Sequence, residues 1–150
     1  MSKITDNNPL EILVDADALV ALVKTDDSNH PKAVNISKQF QQMSVDFQIS
    51  PFTIPEAVTV VSYKIGQKEA REALNKFRSK NFFEYDFDRE LEKKVDKVFK
   101  QQSKKGASYF DCVNLVILEK FKLDGIFSFD SVYSENDYDL AESIVGLNHQ

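Results

Sequence analysis

Four acidic residues, Asp15, Glu56, Asp111 and Asp130, stand where a carboxylate can do chemistry. Carboxylates confined to one pocket repel one another, which raises their apparent pKa values unless a divalent cation neutralises them. An oxygen-only donor set suits Mg2+ or Mn2+, and one or two such ions can hold a phosphate and activate a water for in-line displacement. Whether the four acids meet depends on the elements that carry them, and each acid also has a purely structural use.

Asp15 follows the run Ile12-Leu13-Val14 and opens Ala16-Asp17-Ala18-Leu19-Val20. A strand apolar at every position is covered on both faces, as in parallel sheets, and sits centrally. In open α/β sheets ligands bind beyond the strand C-termini, where strand order reverses, so Asp15 is placed where chemistry is usually done. Asp is also among the best helix N-caps, and capping by Asp15 or Asp17 is the alternative. Gly125-Ile126-Phe127-Ser128-Phe129-Asp130 repeats the device, a short strand that ends on an acid. If the two strands are neighbours, Asp15 and Asp130 converge at one sheet edge, although Asp130 alone reads equally well as a turn or cap residue.

Thr53-Ile54-Pro55-Glu56 has the form of a capping box with proline in the first turn, which gives Glu56 a structural role at the Thr53 amide. Asp111 lies in Ala107-Ser108-Tyr109-Phe110-Asp111-Cys112-Val113-Asn114-Leu115, a segment apolar nearly all round. Helical spacing puts it on one face with Ala107, Leu115 and Leu118, and that face should be buried. Its alternatives are a satisfied core acid or an N-terminal helix acid. Cys112 reads as a small buried hydrophobe.

The intervening chain alternates strands and helices. Helices are expected over 16–24, over 31–43 after the turn Asp26-Asp27-Ser28-Asn29-His30-Pro31, from 53 until Gly66 stops it, and after the Asp88 cap. Short strands are expected at 47–50 and 82–86. His30, beside a cap, reads as solvated. Lys68, Arg71, Lys76 and Arg78 surround a helix whose apolar face is Ala70, Ala73, Leu74 and Phe77; they form either a solvated face or a surface for a phosphate backbone. Residues 101–106 form a polar linker.

Composition bounds the rest. The 150 residues, 42% hydrophobic and 29% charged, suit one globular domain over 1–150, with 1–9 and 146–150 as flexible ends. One cysteine and two histidines exclude an internal disulfide and a Cys/His metal cluster, and fit a reduced cytoplasmic setting. The polar start lacks the apolar core of a signal peptide, and no run approaches the ~20 apolar residues of a membrane span. A net charge of -5 argues against nucleic-acid binding by bulk charge, though a local basic face or bound cations reverse the sign where it matters.

The strand ending in Asp15, the Pro55-Glu56 helix start, the Ser108-x-x-Asp111 helix and the Ser128-Phe129-Asp130 strand end together resemble the acidic motifs of PIN domains, most similar to VapC-type ribonuclease toxins. Asn29-His30-Pro31 and Phe129-Asp130-Ser131-Val132-Tyr133 match the same pattern, and the resemblance runs from about Leu10 to Ile144. It implies a three-layer α/β/α sandwich around a mostly parallel five-stranded sheet, a homodimer, and Mg2+- or Mn2+-dependent RNA cleavage by a metal-activated water. It further implies Asp15, Asp111 and Asp130 as metal ligands, Glu56 as a ligand or water-orienting base, and Asp17 and Ser128 as supports. A small antitoxin protein is the implied partner. The family commonly has Thr, Ser or Asn near the position of Asp17, and Thr where Ser128 stands.

Two other classes compete. Asp15-Ala16-Asp17 also resembles the nucleophile motif of haloacid-dehalogenase-like Mg-dependent phosphatases, but Leu19 stands where that family has Thr or Val. A catalytically inactive PIN-like module that binds RNA or a partner needs only the fold and the basic helix.

Overall fold

The computed structural model describes residues 8–104 and 106–146. In chain order the elements are β1 (Leu10–Val14), α1 (Ala16–Val23), α2 (His30–Gln41), β2 (Val45–Ile49), α3 (Thr53–Lys64), α4 (Gln67–Arg78), β3 (Phe83–Glu84), α5 (Arg89–Lys100), α6 (Tyr109–Lys120), β4 (Gly125–Phe127), α7 (Ser131–Glu135) and α8 (Ala141–Gly146).

The strands form one parallel sheet in the order β3-β2-β1-β4. Because side chains alternate along a strand, β1 feeds both faces. Leu10, Ile12 and Val14 join the core packed by α1 to α4 and α8, whereas Leu13 joins the core packed by α5 and α6. In β4, Phe127 and Ile126 divide in the same way. The result is a three-layer α/β/α sandwich, and its apolar central strand is buried as the unbroken run of β1 requires.

Sequence order places β1, β2 and β3 side by side, then returns the chain to the other edge of β1 as β4. Strand order therefore reverses between β1 and β4, and the Asp15 amide extends that ladder by donating to the Phe127 carbonyl at 3.0 Å.

The described residues contain four strands, not the five implied by resemblance. Where a fifth would run beside β4, a single parallel bridge joins Ile126 to Leu140. The Ile126 amide donates to the Asp139 carbonyl at 2.9 Å. The chain leaves a turn at Asp137, with φ of 68°, and enters α8 at Ala141, too short an extended stretch for a strand. Its backbone passes close over Gly125, where an added Cβ would lie 2.6 Å from the Asp139 carbonyl oxygen.

Two further expectations are corrected. β4 ends at Phe127, three residues before Asp130. His30 is half-buried rather than solvated, with Nδ1 2.7 Å from the Ala21 carbonyl oxygen, a geometry that makes Nδ1 the donor. Apart from Asn8, Pro9 and Gly146, the ends expected to be flexible lie outside the described residues, as does Lys105 of the polar linker. No helix among the described residues is long and apolar enough to cross a membrane.

Candidate active site

Asp15 occupies the switch point and is only 8% exposed. As N-cap of α1 its Oδ1 accepts from the Ala16 amide at 2.8 Å. It does more than cap: Oδ1 also accepts from Asn114 Nδ2 at 3.2 Å, and Oδ2 accepts from Ser128 Oγ at 2.9 Å. Burial pushes its carboxyl upward, as does the charge of Asp111, while the Ser128 and Ala16 hydrogen bonds pull it down.

Asp17, one residue into α1, turns its Oδ2 towards the β4 end and accepts from the Phe129 amide at 3.0 Å. Ser128 Oγ lies 3.2 Å from the same oxygen. Burial, then the charges of Asp15 and Asp130, push Asp17 up to about 7. A hydroxyl carries one proton. Ser128 therefore cannot donate to Asp15 and Asp17 together, and a protonated Asp17 resolves the conflict by donating to Ser128.

Glu56 and Asp111 exchange the roles their sequences suggest. The box expected at Thr53 does not form: Thr53 is already helical, its hydroxyl is 3.2 Å from Ser50 Oγ, and Phe52 is the N-cap without a side-chain bond. Glu56 makes no hydrogen bond through its carboxylate among the described residues. It is half-buried, and burial followed by the charges of Asp15 and Asp111 pushes it up to about 7. The capping box forms instead on α6, where the Asp111 amide donates to Ser108 Oγ at 3.1 Å and the Ser108 amide donates to Asp111 Oδ2 at 3.0 Å. Asp111 is half-buried rather than buried, because it lies in the first turn of its helix. Its Oδ1 remains turned towards Tyr133, whose hydroxyl donates to it at 3.4 Å.

Asp130 is exposed and caps α7, accepting from the Val132 amide at 2.9 Å, while its own amide donates to Ser128 Oγ at 3.1 Å. The fold thus draws Asp15, Asp17, Glu56 and Asp111 into one field of mutual repulsion and leaves Asp130 at its edge, acting on Asp17. The charges of α4 take no part in it. Arg78 pairs with Glu84 at 3.4 Å, and Lys68, Arg71 and Lys76 are exposed. Cys112 is buried and free, as a small hydrophobe would be.

One site residue escaped the reading of the sequence. Asn114 is buried and links Asp15 to Tyr133, donating at 3.0 Å to the hydroxyl of that fully buried tyrosine. Its signal was a lone amide in an otherwise apolar helical run, three residues after Asp111.

The donor set is entirely oxygen. Two buried oxygens, Asp17 Oδ1 and Asn114 Oδ1, have no hydrogen-bond partner, which leaves unused acceptor capacity beside mutually repelling acids. That chemistry fits a hard divalent cation. Among the described residues, no three acids, histidines or cysteines are drawn together closely enough to form a ready-made ligand group.

No protein-family model matches the sequence, and no curated protein matches it. Among solved structures, the chain is similar to the sarcin-ricin loop cleaving toxin VapC20 of Mycobacterium tuberculosis. The TM-score is 0.75 at 17% identity, covering 85% of this chain and 96% of that one. At that identity the likeness speaks to architecture: the chain shares the fold of that toxin, a parallel sheet flanked by helices on both faces.

Proposed function

We propose that the chain is a metal-dependent endoribonuclease, the toxin of a toxin–antitoxin pair. One observation carries this reading: a buried Asp15 at the β1/β4 switch point, with Asp111 near enough to push its carboxyl upward and both acids near enough to push Glu56 upward. Such a cluster of acids is costly unless something cationic is shared among them. The likeness to a toxin that cleaves an RNA loop supports RNA as the substrate.

Asp15, Glu56 and Asp111 would hold Mg2+ or Mn2+, with Asp130 at the rim. A bound ion would supply charge neutralisation at the scissile phosphate and a more acidic water. The chain's own residues set the stage for it. Ser128 and Asn114 fix both oxygens of Asp15 in a buried position. Glu56, whose carboxylate makes no hydrogen bond among the described residues, has both oxygens open to the ion or to the attacking water. Asp17 competes with Asp15 for the single proton of the Ser128 hydroxyl, so its protonation state would set how firmly Ser128 donates to Asp15.

A small antitoxin would silence such a site by placing a cationic side chain among the acids, where a charge-assisted pair is strong. Homodimerisation and a cytoplasmic setting belong to the same reading. Expression of the chain alone tests it: growth arrest relieved by Asp111→Asn supports the toxin, whereas harmless expression of stable wild-type protein contradicts it. Purified chain tests the chemistry, since a structured RNA should be cut with Mg2+ or Mn2+ and remain intact with EDTA.

A further inference from the structure

The two helix starts that carry Glu56 and Asp111 are joined by aromatic rings. Phe52 caps α3, and its carbonyl accepts the Glu56 amide at 2.9 Å. Phe110 directly precedes Asp111, and the Phe52 and Phe110 rings lie 5.3 Å apart. The line continues in both directions. Phe87 packs edge-on to Phe52 at 4.9 Å, Tyr109 meets Phe110 at 6.3 Å, and Phe99 meets Tyr109 at 5.7 Å. Tyr109 is pinned by its hydroxyl, which donates to Asp96 at 2.7 Å.

This line is not closed over by the protein. Phe110 is 42% exposed and Phe99 is 43% exposed. Phe110, directly beside the site acid Asp111, and Phe99 thus leave two large rings in water with half-buried Tyr109 between them, an apolar surface with a ligand to meet. Asp96 and Glu92 of α5 stand beside Tyr109, and the cations of that helix lie further round it. On α5, which supplies Phe99, Lys93, Lys97 and Lys100 fall at positions i, i+4 and i+7 on the face opposite Leu91 and Val95. These three lysines are exposed and enter no ion pair among the described residues, in a chain of net charge -5.

We propose that the aromatic line is a stacking track for unpaired bases of the RNA, which leads the strand to the acid cluster while the α5 lysines accompany its phosphates. The proposal rests on the reading of the acid cluster as a ribonuclease site and narrows the substrate to RNA with an unpaired segment next to the cleaved bond. Every base has a π-face, so a row of rings accepts a single strand with little regard to sequence and rejects a duplex whose bases are already stacked.

The chain contains no tryptophan, so Phe110→Trp installs a single fluorophore on the track. Phe83→Trp, at the exposed β3 edge, installs one away from it. Titration in EDTA with a single-stranded RNA oligonucleotide separates binding from cutting. Saturable quenching of the Phe110→Trp protein by the single strand, much weaker quenching by a duplex and none of the Phe83→Trp protein would support the track. Binding to Phe110→Ala, followed by polarisation of a labelled strand, should weaken about 5- to 150-fold, the range of one base–aromatic stack. Unquenched emission, equal quenching by the duplex, affinity unchanged in Phe110→Ala, or an emission change that tracks protein concentration instead of RNA would overturn it. If the strand binds on the track but wild-type chain cuts no RNA with Mn2+, the ribonuclease reading fails while the track stands. If wild type cuts and Phe110→Ala cuts with unchanged KM, the track fails while the ribonuclease reading stands.

Discussion

Ser128 Oγ lies 2.9 Å from Asp15 Oδ2, across the one point of the sheet where strand order reverses. The bond ties the residue after β4 to the residue after β1, so the site is assembled by the topology itself. Ser128→Ala leaves a buried carboxylate oxygen without its donor, which costs about 1–3 kcal/mol. The expected outcome is a lower Tm with reduced RNA cleavage. Ser128→Thr keeps the hydroxyl and should retain both, and a Thr variant as impaired as Ala would show that volume, not the bond, matters.

The acids also set how stability depends on pH. Asp17 and Glu56 are held at about 7, against 3.8 and 4.5 for the unperturbed groups. Between those limits the folded state binds more protons than the unfolded state, so stability is fully present below the unfolded values and is lost as pH rises through 7. Metal-free protein should therefore have a higher Tm at pH 5.5 than at pH 8, by several degrees for a difference of about 1–3 kcal/mol. Asp17, the more buried, supplies the larger share, since solvent screens Glu56. Asp17→Asn should flatten the profile, and an equal slope in that variant would remove Asp17 from the explanation.

A cation shared among the acids should reverse that loss. Millimolar Mn2+ or Mg2+ binds only the folded chain and raises Tm by mass action. The rise should be largest at pH 8, where the acids are ionised, and should shrink in Asp15→Asn. Absence of any shift at pH 8, with no heat on calorimetric titration, would argue that the cluster holds no ion.

Asp111 serves both as a cap and as a site acid, and two substitutions separate these uses. Asp111→Asn keeps a side chain able to accept the Ser108 amide, so it should fold with near wild-type Tm and lose cleavage. Asp111→Ala should lose cleavage and also lower Tm slightly, because the exposed Ser108 amide loses its acceptor while the Ser108 hydroxyl still caps the helix. An active Asn variant would leave Asp111 a cap and nothing more.

What was legible in the sequence follows from what is local. The unbroken run of β1 and the helical spacing of Ala33, Ile36 and Phe40 are written in neighbouring residues, and these elements form within two residues of expectation at most ends. The two capping boxes show where local pattern stops deciding. Thr53-x-x-Glu56 and Ser108-x-x-Asp111 fit the motif equally well. The turn at Pro51-Phe52 draws Thr53 into the helix, its amide donating to the Ser50 carbonyl at 3.3 Å, so its hydroxyl is no longer at the cap. Asn114 was hidden for another reason, since its partner Asp15 lies 99 residues away. The missing fifth strand follows from the turn at Asp137 and the start of α8 at Ala141, which leave too short an extended stretch beside β4.

The most direct measurement is of the ends left when purified chain meets an RNA with an unpaired loop, in Mn2+ and in EDTA, for wild type and Asp15→Asn. Attack by water on the phosphorus with departure of the 3'-oxygen leaves a 5'-phosphate and a 3'-hydroxyl. The expected result is cleavage in Mn2+ alone, with those ends, and at least a hundredfold slower in a folded Asp15→Asn protein. Cleavage that persists in EDTA, that yields 2',3'-cyclic phosphate ends, or that is unchanged in Asp15→Asn would contradict a metal-dependent site built around Asp15.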